Sequence, residues 1–260
     1  MSINKMNEQI TNWYSYFYPE TIDEAGNGVL RNIPNIKDGD ILKEYEYKRT
    51  HKRQLQLLTR RDIIPQTFDL EHLKAIHAYL FQDVYEWAGK LRKVDIYKKF
   101  SSFASLTGYR PEIYMGDVHK IITSTPWKNL DTTAIAETLA IIFAYVNQAH
   151  PFREGNGRAS KIFMLDVAYC AGMTLDYSLI NKAEWNNASM LSGPDLGSYP
   201  PVPDSLYPIF KTILKPLPYH VLTPDDVKNT LNEKLGGIRE RNSTLKNPSV
   251  NLDRKHGNML

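Results

Sequence analysis

The sequence predicts a mainly α-helical protein with one short β-hairpin, and three observations carry that expectation. Apolar residues recur at three- and four-residue spacing at Leu70, Leu73, Ile76 and Leu80. A second such stripe runs through Ile135, Leu139, Ile142, Phe143 and Val146. By contrast, the stretch from Lys90 to Ser105 alternates at Val94 and Ile96 before a basic "YKK", which suits a hairpin or extended flap.

Taken in order, residues 1–40 hold aromatic "WYSYFYPE" and the glycine-containing turn "EAGNGVLRN", and read as an ordered N-terminal cap. Residues 41–214 read as the core. Apolar and charged residues interleave from Asp38 to about Leu58, giving one amphipathic helix, and "FDLEHLKAIHAYLFQDVYEWAG" gives a second beyond the break at Pro65. After the flap, "PEIYMGDVHKIITST" reads as a helix. "LDTTAIAETLAIIFAYVNQA" follows as a central buried one, capped by Asp131 or Thr132. Pro151 disfavours helical geometry in the residue before it, so that helix ends at His150. The next, "RASKIFMLDVAYCAG", starts after the glycines and stops near Gly172. "SLINKAEWNNASML" reads as a further helix, and "SGPDLGSYPPVPDS" as a loop. Residues 215–260 are poor in apolar side chains and read as an appendage or the start of a further segment.

Composition narrows the function classes. The 260 residues, 42% hydrophobic and 23% charged, suit a soluble globular chain with no membrane partner, since no run approaches the ~18 apolar residues of a spanning helix. The lone Cys170 excludes an internal disulfide framework and a multi-cysteine zinc site, and fits a reducing compartment. The N-terminus lacks a basic start followed by an apolar run, so no classical secretory signal is read there, and specialised secretion without cleavage stays open. Net charge is +3, and "KRTHKRQ" (Lys48 to Gln54) with Arg60 and Arg61 reads better as a solvated helix face than as a nucleic-acid contact. His51, His72, His77, His119, His220 and His256 show no metal-like clustering and read as structural or solvated.

The stretch that demands chemistry is "HPFREGNGRASKIF", His150 to Phe163. Gly155, Asn156 and Gly157 let successive N–H groups turn inward at the start of a helix, which makes an anion site. Arg158 adds a fork of donors and Lys161 a point charge, so the ligand suggested is a polyphosphate. Glu154 beside that nest would repel phosphate unless a hard cation such as Mg²⁺ bridged the two. His150 titrates near neutrality and can take a proton from an attacking hydroxyl. Singly, each feature has a plainer reading: a turn, a helix cap, or a surface ion pair between Glu154 and Arg158. Their joint occurrence after a strongly apolar helix argues for a site. Neither "GxxxxGK[ST]" nor a "GxGxxG" after a strand is present.

The stretch resembles the Fic family signature, H-P-F-x-(D/E)-G-N-G-R-x-x-R, matching at His150, Pro151, Phe152, Glu154, Gly155, Asn156, Gly157 and Arg158. It departs at the last position, where Lys161 replaces arginine. The segments "FDLEHLKAIHAYLFQDVYEWAGKLRKVDI" and "YPETIDEAGNGVLRN" are similar to the family's upstream helix and flap and to its nucleotide-side loop. The resemblance is greatest to toxin and type IV-secreted effector members. It implies the Fic fold, a helical core with the hairpin flap over the active site, and transfer of AMP from ATP to a hydroxyl side chain of a target protein.

His150 would then be the general base, and Glu154 would hold Mg²⁺ on the phosphates. Gly155, Asn156, Gly157 and Arg158 would bind those phosphates, Lys161 would stand at the terminal one, and Phe152 would anchor the loop. The flap, Val94 to Lys99, would pair with the target like an added strand, while Trp185, Asn186 and Asn187 would line the nucleobase pocket, with helix packing on the core an equal reading of Trp185. The inhibitory (S/T)-x-x-x-E-(G/N) motif of the family is missing, with "TIDEAGN" (Thr21 to Asn27) at the wrong spacing, so either a separate antitoxin-like protein supplies it or the chain is unrestrained. The location implied is the bacterial cytoplasm, with delivery into host cells by a type IV secretion system as an extension. Two alternatives stand beside AMP transfer. One is a nucleotide-binding interaction module with little turnover, motivated by Lys161. The other is transfer of a different phosphate-linked group, in variants that resemble the motif with alanine at the position of Gly155.

Overall fold

The computed structural model describes residues 3–98, 101–108 and 110–217. Lys99 at the flap and nearly all of the 215–260 segment lie outside the described residues, as do His220 and His256. The described residues form eight α-helices and two small antiparallel sheets, the mainly helical architecture that the spacing predicts.

Helix α1 (Ile3–Tyr14) lies within the cap, where the sequence suggested order without a helix. Helix α2 (Gly39–Thr59) starts where the Asp38 carboxylate accepts from the N–H groups of Asp40 and Ile41, and α3 (Leu70–Phe81) where Asp69 accepts from His72. Helix α3 is shorter than its apolar pattern suggests. The N–H groups of Val84 and Tyr85 both bond to the Phe81 carbonyl, at 2.8 and 3.0 Å, and the chain turns. That turn drops Val84 and Tyr85 into the core, and apolar spacing alone does not distinguish it from another turn of helix. The flap is a hairpin of β1 (Tyr97–Lys98) against β2 (Ser101–Ser102).

Helix α4 (Pro111–Ser124) leads to α5 (Thr132–Ala149), which Asp131 caps by accepting from the Ala134 N–H. Helix α6 (Asn156–Cys170) is followed by β3 (Met173–Leu175), α7 (Lys182–Leu191), α8 (Tyr207–Ile213) and β4 (Leu214–Pro216). Helix α5 is the central element. Its Leu139, Ala140 and Ile142 are wholly buried, and it packs on α4, α6 and α8. Each fully buried large apolar side chain of this kind contributes about 1.5–3 kcal/mol. On its other side α6 packs against α3, which brings the ends of α3, α5 and α6 to one place. Among the described residues, no helix is long and apolar enough to cross a membrane.

Candidate active site

The loop from His150 to Gly155 joins α5 to α6, and every residue of its frame is held. Pro151 ends α5 as expected, and His150 takes up the left-handed conformation at φ 39, ψ 55. A non-glycine residue there is strained by about 1–2 kcal/mol, a cost that persists only where surrounding contacts enforce it. The His150 ring stacks on Phe103 of the flap, with centroids 3.6 Å apart. Phe152 is wholly buried, as an anchor should be. Asn156 closes the loop, its Oδ1 accepting from the Phe152 N–H at 2.9 Å and its Nδ2 donating to the Phe152 carbonyl at 2.8 Å. Its side chain is therefore a loop tie, and what it offers a ligand is its backbone. Gly155, at φ 82, caps α6, and the helix starts two residues earlier than the sequence suggested, so Asn156 and Gly157 form its first turn. Their N–H groups stand at the open end of the helix, which favours an anion.

Two buried side chains grip the loop from opposite sides. Arg92, whose side chain has no solvent exposure, donates from Nε to the His150 carbonyl at 2.9 Å and from Nη1 to the Val94 carbonyl at 2.6 Å. Its Nη2 donates to the Ala104 carbonyl. One guanidinium thus ties both sides of the flap base to the end of α5. On α3, His77 Nδ1 accepts the Gly89 N–H at 2.8 Å, so Nε2 carries the proton and donates to the Glu154 carbonyl at 2.9 Å. Burial pushes this imidazole down to about 4, which keeps it neutral. It stacks on Phe152 at 3.9 Å and on Phe81 at 4.6 Å.

The charged members of the motif are placed as follows. Glu154 is exposed, and its Oε1 accepts from the Gly155 N–H at 3.0 Å, so a carboxylate already lies at the edge of the nest. Arg158 does not pair with Glu154. Its Nη2 lies 2.6 Å from Glu46 Oε1 on α2, its Nη1 donates to Thr50 Oγ1 at 3.3 Å, and the guanidinium lies over the Phe81 ring. The i, i+4 surface pair suggested by spacing is therefore replaced by a tertiary one. Tyr85 donates its hydroxyl to the second Glu46 oxygen, and burial followed by that carboxylate raises the phenol above its usual range. Lys161 carries its ammonium 4.7 Å from the Tyr177 ring and 5.1 Å from the Trp185 ring, and burial pushes its pKa down. Arg153 lies over Trp13 at 4.3 Å, which fastens the N-terminal cap to the loop.

A cavity of about 440 Å³ opens beside the loop. His150, Asn156, Gly157 and Ser160 form one wall, and Trp185, Asn186 and Met190 the other. Phe103 brings the flap to its rim. Of the three pocket residues expected on α7, Trp185 and Asn186 line the cavity and Asn187 does not. The docking segment expected at Val94 to Lys99 narrows, because Val94 is buried and its carbonyl is taken by Arg92; within it, Tyr97 is 71% exposed. Among the described residues no group of three or more metal-ligating side chains exists. A lone carboxylate beside an anion nest suits Mg²⁺ that arrives on phosphates, because this ion commonly takes one or two carboxylates and fills its remaining positions with phosphate oxygens and water.

Sequence reasoning missed Glu46, His77, Arg92 and Arg153 as parts of the site. His77 and Arg92 lie 77 and 58 residues before the loop carbonyls they bond, and Glu46 lies on α2, far before its partner Arg158 on α6. Periodicity marks such residues only as buried or polar.

A histidine at the end of a buried helix, glycines at the start of the next and an open cavity beside both thus meet at the stretch that carries the Fic-like signature. The chain belongs to the Fic/DOC family, which residues 67–168 match. It is 36% identical over 180 residues to the protein adenylyltransferase VbhT of Bartonella schoenbuchensis, covering 68% of this chain and 35% of that protein. It is 32% identical over 176 residues to the probable protein adenylyltransferase Fic of Escherichia coli, covering 67% of this chain and 82% of that protein. The chain thus spans about a third of the length of the first relative and most of the second. The fold matches BepC, a VirB-translocated effector of Bartonella tribocorum solved with bound AMPPNP, at a TM-score of 0.61 and 28% identity over 78% of this chain and 98% of that one.

Proposed function

We propose that this protein is a protein adenylyltransferase that moves AMP from ATP to a hydroxyl side chain of a target protein. The observation that carries the reading is the cavity, which sets His150 beside the open end of α6 and opposite Trp185 and Asn186. A nucleotide seated there has its base against α7 and its phosphates at the N–H groups of Asn156 and Gly157. His150 takes the proton of the incoming hydroxyl. The hydroxyl oxygen bonds to the α-phosphorus, the bond to the β-phosphate oxygen breaks, and pyrophosphate leaves. Holding base, hydroxyl and phosphorus together supplies much of the rate, because a bimolecular encounter becomes an intramolecular one. Glu154 would hold Mg²⁺, which neutralises phosphate charge when bound. The relatives named as adenylyltransferases and the neighbour solved with AMPPNP support this reading.

The target docks at the flap, where exposed Tyr97 and the edge of β1 accept an extended segment. The kinship with a translocated effector supports action inside a bacterium or, after secretion, inside a host cell. A separate inhibitory protein would restrain the site. Phosphate-linked groups other than AMP are disfavoured by Gly155, where a side chain would meet Phe81.

A second reading, nucleotide binding with little turnover, draws on Lys161, which sits on aromatic rings instead of extending toward the open helix end. Intact-mass analysis of lysate proteins after incubation with the protein and Mg²⁺-ATP separates the two. An added AMP group on a protein supports transfer, and tight ATP binding with no adduct in any lysate supports the binding module.

A further inference from the structure

The loop is gripped at its two ends by side chains that do not touch one another in any hydrogen bond or ring contact described above. Arg92 reaches the His150 carbonyl and also donates its own N–H to the Pro151 carbonyl at 2.8 Å. Its remaining donors go to the carbonyls of Val94 and Ala104, with Asp95 Oδ1 3.5 Å from Nη1, so it connects the base to the flap. His77 reaches the Glu154 carbonyl at the other end, next to Gly155 and the start of α6. Its partner on the far side is Gly89, which is fixed at φ 76 with Ala78 and the Lys74 carbonyl against its α-carbon face.

We propose that these are two separate positioning residues: Arg92 sets the proton-transfer half of the site and His77 sets the nucleotide half. The proposal rests on the adenylyltransferase reading for its rate terms, while its binding terms stand without it.

The chemistry of each side chain suits its task. The loop end at Glu154 needs a flat group, wholly buried, that donates at one edge, accepts at the other and stacks on aromatic faces. Neutral imidazole does all of this, and phenylalanine keeps only the stacking. The His150 end needs several donors diverging to carbonyls on both sides of the flap base and at one helix end, which guanidinium supplies and an ammonium cannot match in geometry. Removing the donor at Glu154 leaves a carbonyl without its partner and lets the nest, its shape kept by the Asn156 ties, shift relative to α3. The His150 carbonyl remains held by Arg92 and its ring by Phe103. Loosening Arg92 lets His150 and the flap shift while the ties of Asn156 to Phe152 keep the nest in shape.

The test compares His77→Phe, His77→Gln and Arg92→Lys with wild type in two measurements: Kd for Mg²⁺-ATP by calorimetry, and kcat and KM for AMP transfer, both well below each variant's melting temperature. His77→Phe should raise Kd and KM for ATP about tenfold, the effect of about one buried hydrogen bond, with kcat nearly kept. His77→Gln, which retains a donor and an acceptor, should recover part of that affinity. Arg92→Lys should lower kcat about tenfold or more with Kd for ATP nearly unchanged. The same pattern of change in both residues would mean that the loop moves as one body, and would overturn the proposal. If wild type binds ATP and transfers nothing, the functional reading fails, and the affinities still decide: Kd unchanged by His77→Phe, or raised equally by Arg92→Lys, overturns the division.

Discussion

Replacing Gly155 by alanine puts the geometry of the nest under the most direct strain. Two costs add. At φ 82 a side chain meets the carbonyl crowding of the left-handed region, worth about 1–2 kcal/mol. The new methyl group would also overlap Cζ and Cε2 of the wholly buried Phe81, and overpacking of this kind costs about 1–3 kcal/mol. The sum, about 2–5 kcal/mol, is a large part of a domain's stability. Urea unfolding of Gly155→Ala should therefore show a marked fall in midpoint, and ATP binding should weaken because the start of α6 is displaced. Phe81→Leu supplies room. In a double-mutant cycle the alanine should cost at least about 1 kcal/mol less in that background. An alanine variant as stable as wild type, or one equally destabilised in both backgrounds, would refute the packing argument. The same ring explains why alanine-bearing motifs, read from sequence as a sign of different donors, do not fit this chain unchanged.

Three further outcomes follow from the charges around the loop. Lys161→Ala should weaken ATP and ADP alike, by about threefold, because the ammonium braces Trp185 and Tyr177; a loss confined to ATP, measured by calorimetry with both nucleotides, would put it on the terminal phosphate. Glu46→Gln should cost about 1–3 kcal/mol in urea unfolding, since Arg158 loses its ion pair and Tyr85 its charged acceptor, and no change would make that cluster incidental. Arg53 bonds both oxygens of Asp83, at 2.8 and 2.9 Å, and holds that carboxyl below its usual range. A pKa lowered in the folded state gives stability that is present above the unfolded value of about 3.9 and lost as pH falls through the folded one. Asp83→Asn should thus be about 1 kcal/mol less stable than wild type at neutral pH, with the gap closing in acid, and a gap that stays constant with pH would exclude the pair as its cause.

Much of this was legible in the sequence. Helices α2, α4, α5 and α7 could be placed from the sequence, α5 with its cap as well, and the flap from its alternation. The sheet of β3 and β4 could not, because each strand is three residues long and its partner lies about forty residues away. The stretch from His150 to Lys161 was legible as a candidate because it is contiguous, and of its named residues His150, Phe152, Asn156 and Gly157 line the cavity. What escaped were the residues that hold it. His77 shows in the sequence only as one more position in a buried helix face, and Glu46 as one charge among many on α2. Which donor meets which carbonyl is decided by how α2 and α3 pack against α6, and no local pattern records that.

The central claim is that His150 acts on the incoming hydroxyl and not on the nucleotide. It is tested by offering wild type and His150→Ala ATP radiolabelled at the α- or the γ-phosphate, with a lysate as target, and by measuring Kd for ATP in parallel. Wild type should transfer the α-label and not the γ-label, and His150→Ala should be slower by about 10²–10⁴ while binding ATP nearly as well. Transfer of the γ-label, or a His150→Ala variant as fast as wild type, would contradict the account.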